Sequence, residues 1–168
     1  WHAAGLVSQI GPSATITKIR KYSLDLYKEL EKKVDHSAGL RLNGALSIAQ
    51  EEGRWRELKR QATTAQLYNF DVQILNKDQV KDKVPLVKND DLLGGIFMPG
   101  DGSGDPSGIN YLLAKAARAE GVKIYEDSPI DNIIVKNKRI EGVIVNGKKI
   151  ECEYIVLATG MWSRQIGE

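Results

Sequence analysis

The chain has 168 residues, 42% of them hydrophobic and 27% charged, and its 24 Lys+Arg against 22 Asp+Glu leave a net charge of +2. That length suits about one domain with a sizeable core, and charge so evenly spread gives no argument for nucleic acid. No apolar run approaches the ~20 residues that span a bilayer, and no stretch reads as a signal peptide.

Taken in chain order, Ile19, Tyr22, Leu26, Leu30 and Val34 recur at spacings of three and four, which predicts a long amphipathic helix from Ser13 to Val34, ended by Asp35 to Gly39. Leu42 to Gln50 reads as a β-like run entered through Asn43-Gly44. Glu51 to Tyr68 returns to helical spacing through Trp55, Leu58, Ala62 and Ala65. Phe70 to Leu75 reads as a strand. Asn76 with Gln79 three residues on has the form of a capping box, and Pro85 stops the short helix it opens. Tyr22, Tyr27, Trp55 and Tyr68 are expected in the core.

Leu92 to Met98 is a strand candidate, followed by Pro99-Gly100-Asp101-Gly102-Ser103-Gly104-Asp105-Pro106. Asp105 is placed to cap a helix with Pro106 at its first position, running to about Glu120 before Gly121. Val122 to Tyr125 then reads as a buried strand. Ile130 to Val135, Ile140 to Val145 and Lys148 to Cys152 predict a β-meander, the last two strands joined through the hairpin signal Asn146-Gly147. Tyr154 to Leu157 is apolar throughout, as a central parallel strand covered on both faces would be. The fold class is α/β with mixed α+β character. Cys152, the single cysteine, is expected to fill space at a strand position and suits a reducing compartment.

Two readings of the Gly-rich segment fail. A dinucleotide-binding loop needs a third Gly where Asp105 stands, and Asp101 and Asp105 would face a pyrophosphate of their own charge sign. A calcium loop fails because Pro106 and Leu112 occupy its sixth and twelfth positions. A structural turn and helix cap is the expectation. His2, His36 and the one distant Cys show no metal-ligand spacing, so no metal site is expected.

Three segments in order, Trp1-His2-Ala3-Ala4-Gly5-Leu6, the Gly-rich stretch, and Ile155-Val156-Leu157-Ala158-Thr159-Gly160-Met161-Trp162, resemble the flavin-dependent amine oxidoreductases of the dimethylglycine and sarcosine dehydrogenase type. That group belongs to the D-amino-acid oxidase superfamily, and the resemblance spans nearly the whole chain. It implies FAD as cofactor, with the His2 imidazole bonded to the 8α-methyl carbon of the flavin. A neutral imidazole nitrogen is a competent nucleophile for that step. Trp1, His2, Ala3, Ala4, Gly5 and Leu6 become flavin-contacting residues, the small ones letting backbone lie along the ring. Ile130, following Pro129, aligns with a position that holds adenine through backbone atoms, and Gly160 and Trp162 would lie beside the cofactor.

The resemblance also implies boundaries: residues 1–10 as a flavin-contacting segment, 11–99 as part of a mixed-sheet substrate domain, and 100–168 as a later part of the FAD domain. The catalytic His and Tyr of relatives lie C-terminal to Glu168, and the Gly-rich pyrophosphate turn of such enzymes is not found here. With no initiator Met, an interior slice of a longer protein is expected. The implied reaction is oxidation of an N-methyl amine, with hydride passing to the flavin. An amine substrate, oxygen or an electron-transfer flavoprotein as acceptor, and a downstream folate domain would be its partners. The expected location is cytoplasmic, or the mitochondrial matrix in a eukaryote. Alternatives are another superfamily member, such as a sarcosine oxidase subunit or a D-amino-acid dehydrogenase, and a non-catalytic scaffold.

Overall fold

The computed structural model describes residues 3–167, so the expectations for Trp1 and His2 lie outside the described residues. Two compact units follow one another along the chain, the first ending at Val122 and the second beginning at Lys123.

The first unit opens with a two-residue strand, β1 (Leu6–Val7), and the helix α1 (Ala14–Val34). The Ser13 hydroxyl accepts from the Ile16 amide at the helix entry, and Asp35 ends the helix in the left-handed region at φ 46°. The helix lies where the spacing places it, with Leu26, Leu30 and Val34 of the expected stripe half-buried, but its most buried line runs elsewhere. Thr17 and Leu24 are buried, with Arg20, Tyr27 and Glu31 half-buried in the same three-four rhythm, whereas Ile19 and Tyr22 are exposed. Thr17 takes an inward position because both its bonds are local: Oγ1 donates to the Ser13 carbonyl and accepts from the Gly11 amide at 3.0 Å. Tyr22 is therefore not a core residue.

The strands β2 (Ala45–Ala49), β3 (Gln73–Leu75) and β4 (Gly94–Met98) form an antiparallel sheet in the order β2-β4-β3. Alternation along each strand sorts side chains to two faces. One face presents Ala49 and Ile96 to the helix α2 (Glu52–Leu67), whose Leu58 and Ala62 pack against them with Trp55 at the edge. The other face presents Leu46, Leu75 and Phe97, packed with Leu92 and with Val80 of the short helix α3 (Lys77–Lys83). Asn76 and Gln79 form both bonds of the expected capping box. Full burial of Leu58 contributes about 1.5–3 kcal/mol. The strand expected from Phe70 is ordered as β3 only from Gln73, because pairing with β4 begins there and Phe70 instead fills a cluster with Ala65 and Met98.

A second two-residue strand, β5 (Gly102–Ser103), pairs antiparallel with β1. The helix α4 (Pro106–Ala119) follows, capped by Asp105 as expected, and buries Gly108, Leu112 and Ala116 along one stripe. It packs against α1, and Lys33 pairs with Glu120 across the two helices.

The second unit is a meander of β6 (Ile130–Lys136), β7 (Arg139–Val145) and β8 (Lys148–Glu151). Asn146 and Gly147 both adopt positive φ, as the predicted hairpin requires, and the Asp131 side chain accepts from the Gly147 amide. Cys152 is half-buried one residue past β8. A 3₁₀ turn (Gly160–Trp162) leads into α5 (Ser163–Gly167).

Two expected strands do not form. At Val122–Tyr125, Gly121 turns the chain at φ 87° and the Val122 amide closes the end of α4 by donating to the Ala117 carbonyl, leaving no ladder to start; Val122 and Tyr125 are exposed. Tyr154–Leu157 likewise pairs with no strand among the described residues, and Tyr154 and Val156 are exposed. An apolar run becomes a strand only where another backbone accepts its hydrogen bonds. Both expectations are corrected, while the mixture of helices and strands stands.

Candidate functional site

The Gly-rich segment is a backbone crossing. On one side Ser103 exchanges two bonds with Arg41, at 2.8 and 3.0 Å, and the Asp105 amide donates to the Ala38 carbonyl. On the other side Gly102 and Ser103 face Val7 and Leu6, and the Gly104 amide donates to the Gly5 carbonyl at 2.8 Å. The glycines make this approach possible: a Cβ on Gly102 would stand 2.0 Å from the Arg41 carbonyl oxygen, and one on Gly5 would stand 2.5 Å from that of Gly104. The Asp105 carboxylate accepts from the Ser107 and Gly108 amides. The amides a phosphate loop leaves free are thus occupied, in keeping with the exclusion made from sequence.

This crossing holds the Ala3–Leu6 segment as one wall of a cavity of about 460 Å³. Arg20 and Tyr27 of α1 and Pro106 and Ile109 of α4 complete it. The volume is within the range of small-molecule sites. Ala3, Ala4, Gly5 and Leu6, four of the sequence-predicted site residues, line this cavity.

A neighbouring cavity of about 500 Å³ is lined by Thr17, Ser47, Glu57, Arg60 and Asp101 among others. Asp101 is 5% exposed. Its Oδ1 accepts from the Gln9 amide at 2.9 Å. Burial pushes its carboxyl above the ordinary value, opposed by the Gln9 amide and the nearby Arg20 charge. Arg20 in turn donates to the Ser8 hydroxyl at 2.9 Å and to the Ile10 carbonyl. Glu57 is fixed by two bonds from Arg60, at 2.7 and 2.8 Å, and one from Gln61, which hold its carboxyl down at about 2. Sequence reasoning missed Asp101 and Arg20 as structural polar residues. One sits in a turn and the other on a helix face, and no spacing signal marks either.

In the second unit, Gly160 and Trp162 line a shallow hollow with Ala158, Thr159 and Ile166. Gly160 has φ 58°, a Cβ there would meet nothing within 4 Å, and Trp162 is 61% exposed. Ile130 begins β6 and is half-exposed at 45%. Among the described residues no group of acidic, His or Cys side chains could hold a metal, and no helix is long and apolar enough to cross a membrane.

An antiparallel sheet covered by helices on both faces, with a Gly-rich crossing that supports a small-residue wall, makes up the first unit, and a three-stranded meander the second. The chain belongs to the DAO family of FAD dependent oxidoreductases, which matches residues 1–168. It is 31% identical over 166 residues to 4-methylaminobutanoate oxidase (formaldehyde-forming) of Paenarthrobacter nicotinovorans, covering 99% of this chain and 20% of that protein. It is 31% identical over 173 residues to human mitochondrial sarcosine dehydrogenase, covering 99% and 19%. It is also 29% identical over 164 residues to the mouse mitochondrial pyruvate dehydrogenase phosphatase regulatory subunit, covering 98% and 19%. The chain thus spans about a fifth of the length of these relatives. Among solved structures, glycine oxidase from Bacillus cereus superposes with a TM-score of 0.77 at 26% identity, over 98% of this chain and 47% of that one. L-proline dehydrogenase from P. horikoshii shares the fold with a TM-score of 0.86 at 22% identity, over 96% and 42%.

The cavity beside Ala3–Leu6 offers a side-chain-poor surface. Its wall carries only hydrogen or methyl side chains at Ala3, Ala4 and Gly5, and Tyr27 and Ile109 add apolar surface while Arg20 adds a charge.

Proposed function

We propose that this chain contributes the flavin-contacting wall and the first part of the substrate domain of an FAD-dependent oxidoreductase that oxidises an N-methylated amine or amino acid. The observation that carries the proposal is the Ala3–Leu6 segment, held by Gly104 and β5 as a side-chain-poor wall. It stands in a chain whose relatives include a methylaminobutanoate oxidase and a sarcosine dehydrogenase.

In this reading residues 1–10 meet the flavin, 11–99 belong to the substrate domain, and 100–168 return to the FAD domain. Bound FAD would supply the two-electron chemistry by accepting hydride from the carbon beside nitrogen. The chain's own residues bind and orient. Ala3 to Leu6 pass along the ring and exclude water from one edge, and Trp1 and His2 stand next to them in sequence, with His2 as the covalent tie. The Ile130 backbone meets the adenine, and Gly160 and Trp162 flank the cofactor. No residue of this chain is assigned proton transfer, and the amine-facing groups lie further along the protein. Oxygen or an electron-transfer flavoprotein takes the electrons, a downstream folate domain takes the one-carbon unit, and the setting is the cytoplasm or the mitochondrial matrix.

The test is made on the full-length protein expressed with FAD supplied. It is denatured, freed of small molecules and digested, and the peptide containing His2 is examined for flavin absorbance and the FAD mass increment. A flavinylated His2 is the expected result. FAD released on denaturation would keep the oxidoreductase class and remove the covalent role. Absence of flavin would favour the non-catalytic reading, which the similarity to a phosphatase regulatory subunit supports.

A further inference from the structure

We infer that Asp101 and Arg20 are positioning residues that brace the Ser8–Ile10 backbone and thereby set the stance of the Ala3–Leu6 wall. The inference rests on the flavin reading of that wall and adds to it the residues that hold the wall in place.

The segment from Gly5 to Gly11 has little apolar anchorage. Leu6 is 81% exposed, and of the others only Ile10 packs against a core cluster. What fixes it is a series of hydrogen bonds to β5 and the residues flanking it and to α1. Gly5 accepts from Gly104, Leu6 and Val7 pair with β5, and Ser8 accepts from Arg20. The Gln9 amide donates to Asp101, the Ile10 carbonyl accepts from Arg20, and the Gly11 amide donates to Thr17. Two of these partners carry charge. A carboxylate that is 5% exposed is costly to bury unless it is well engaged.

Asp101 is itself pinned. Its amide donates to the Met98 carbonyl at the end of β4, and its carbonyl accepts from the Gly44 amide at 2.8 Å. The carboxylate therefore transmits the position of the β2-β4-β3 sheet to Gln9. Arg20 transmits that of α1 to the residues on either side, Ser8 and Ile10. A surface connection with no task needs neither brace; a wall that must meet a rigid ring at van der Waals distance needs both.

Three variants of the full-length holoprotein, D101A, D101N and R20M, separate this role from general stability. D101N keeps an acceptor for Gln9. FAD dissociation, the flavin absorbance spectrum and amide hydrogen exchange are measured on each, with L58A as a purely destabilising control. D101A, which loses one charge-assisted hydrogen bond, is expected to weaken FAD binding about tenfold and R20M, which loses two, at least as much; both are expected to shift the flavin spectrum and to speed exchange across residues 3–11. D101N is expected to restore the exchange protection and most of the affinity, and L58A to lower the melting temperature with an unchanged spectrum. Unchanged FAD affinity, spectrum and exchange in folded D101A and R20M would overturn the inference. If the wild-type protein carries no flavin, the flavin reading fails; the exchange data then decide the brace alone, standing if residues 3–11 lose protection and falling if they do not.

Discussion

The Asp101 carboxylate accepts the Gln9 amide at 2.9 Å across 92 residues of chain. Burial holds this carboxyl above its ordinary value of 3.8, with the Gln9 amide and the Arg20 charge pulling the other way. The folded chain therefore binds the proton more tightly than the unfolded chain. The Asp101 contribution to stability is greatest below the unfolded value and declines as pH rises through the folded one. Asp101→Asn keeps the acceptor and removes the titration, so it is expected to flatten that decline. Urea midpoints of both proteins between about pH 3 and pH 7 check this; curves that stay parallel would count against it.

Glu57 shows the opposite shift for a different reason. Arg60 grips it with two bonds and Gln61 adds a third, bringing the carboxyl to about 2. Its contribution is present above the unfolded value and is lost as pH falls through the folded one. The pair is solvent-exposed, so screening keeps its effect on stability small. In an NMR titration the Glu57 midpoint should lie near 2 and return toward 4.5 in Arg60→Gln, with no detectable change in unfolding midpoint at neutral pH. A midpoint already ordinary in the wild type would contradict the geometry.

Gly5 and Gly147 share a φ of 72°, yet a Cβ on Gly5 would stand 2.5 Å from the Gly104 carbonyl oxygen, while nothing lies within 4 Å of one on Gly147. Gly147→Ala should cost only the left-handed strain of about 1–2 kcal/mol. Gly5→Ala should cost that and the separation of β1 from β5 besides. Chemical denaturation of the two variants ranks them, and equal costs would mean that the crossing yields without penalty.

Leu58 is fully buried between α2 and the sheet, against Ala49, Ala62 and Ile96. Leu58→Ala is expected to destabilise the first unit by about 2–5 kcal/mol. Leu86, at 96% exposure, supplies the comparison: Leu86→Ala should stay within about 0.5 kcal/mol of wild type. Thermal unfolding of both resolves the difference, and a mild Leu58→Ala would show that α2 collapses onto the space left behind.

Much of this fold is legible in the sequence wherever the determining partners lie within a turn of each other. Asn76 and Asp105 cap their helices as read, because each side chain reaches amides two or three residues ahead. Asn146-Gly147 makes its hairpin because both residues tolerate positive φ. The Trp1–Leu6 and Gly-rich motifs pointed to the family that matches residues 1–168.

Tertiary structure alone decided which face of α1 is buried, since Thr17 and Arg20 turn inward to hold a loop that no helical periodicity describes. It decided that the glycines at 5 and 102 serve backbone crossing, and that Asp101 is an interior anchor where the sequence shows only a turn residue. It also decided that Val122–Tyr125 and Tyr154–Leu157 remain unpaired despite their apolar character. Caps and turns are satisfied by neighbours in the chain. Burial, crossing and ladder pairing are satisfied by residues tens of positions away, and no local pattern states whether those partners will be there.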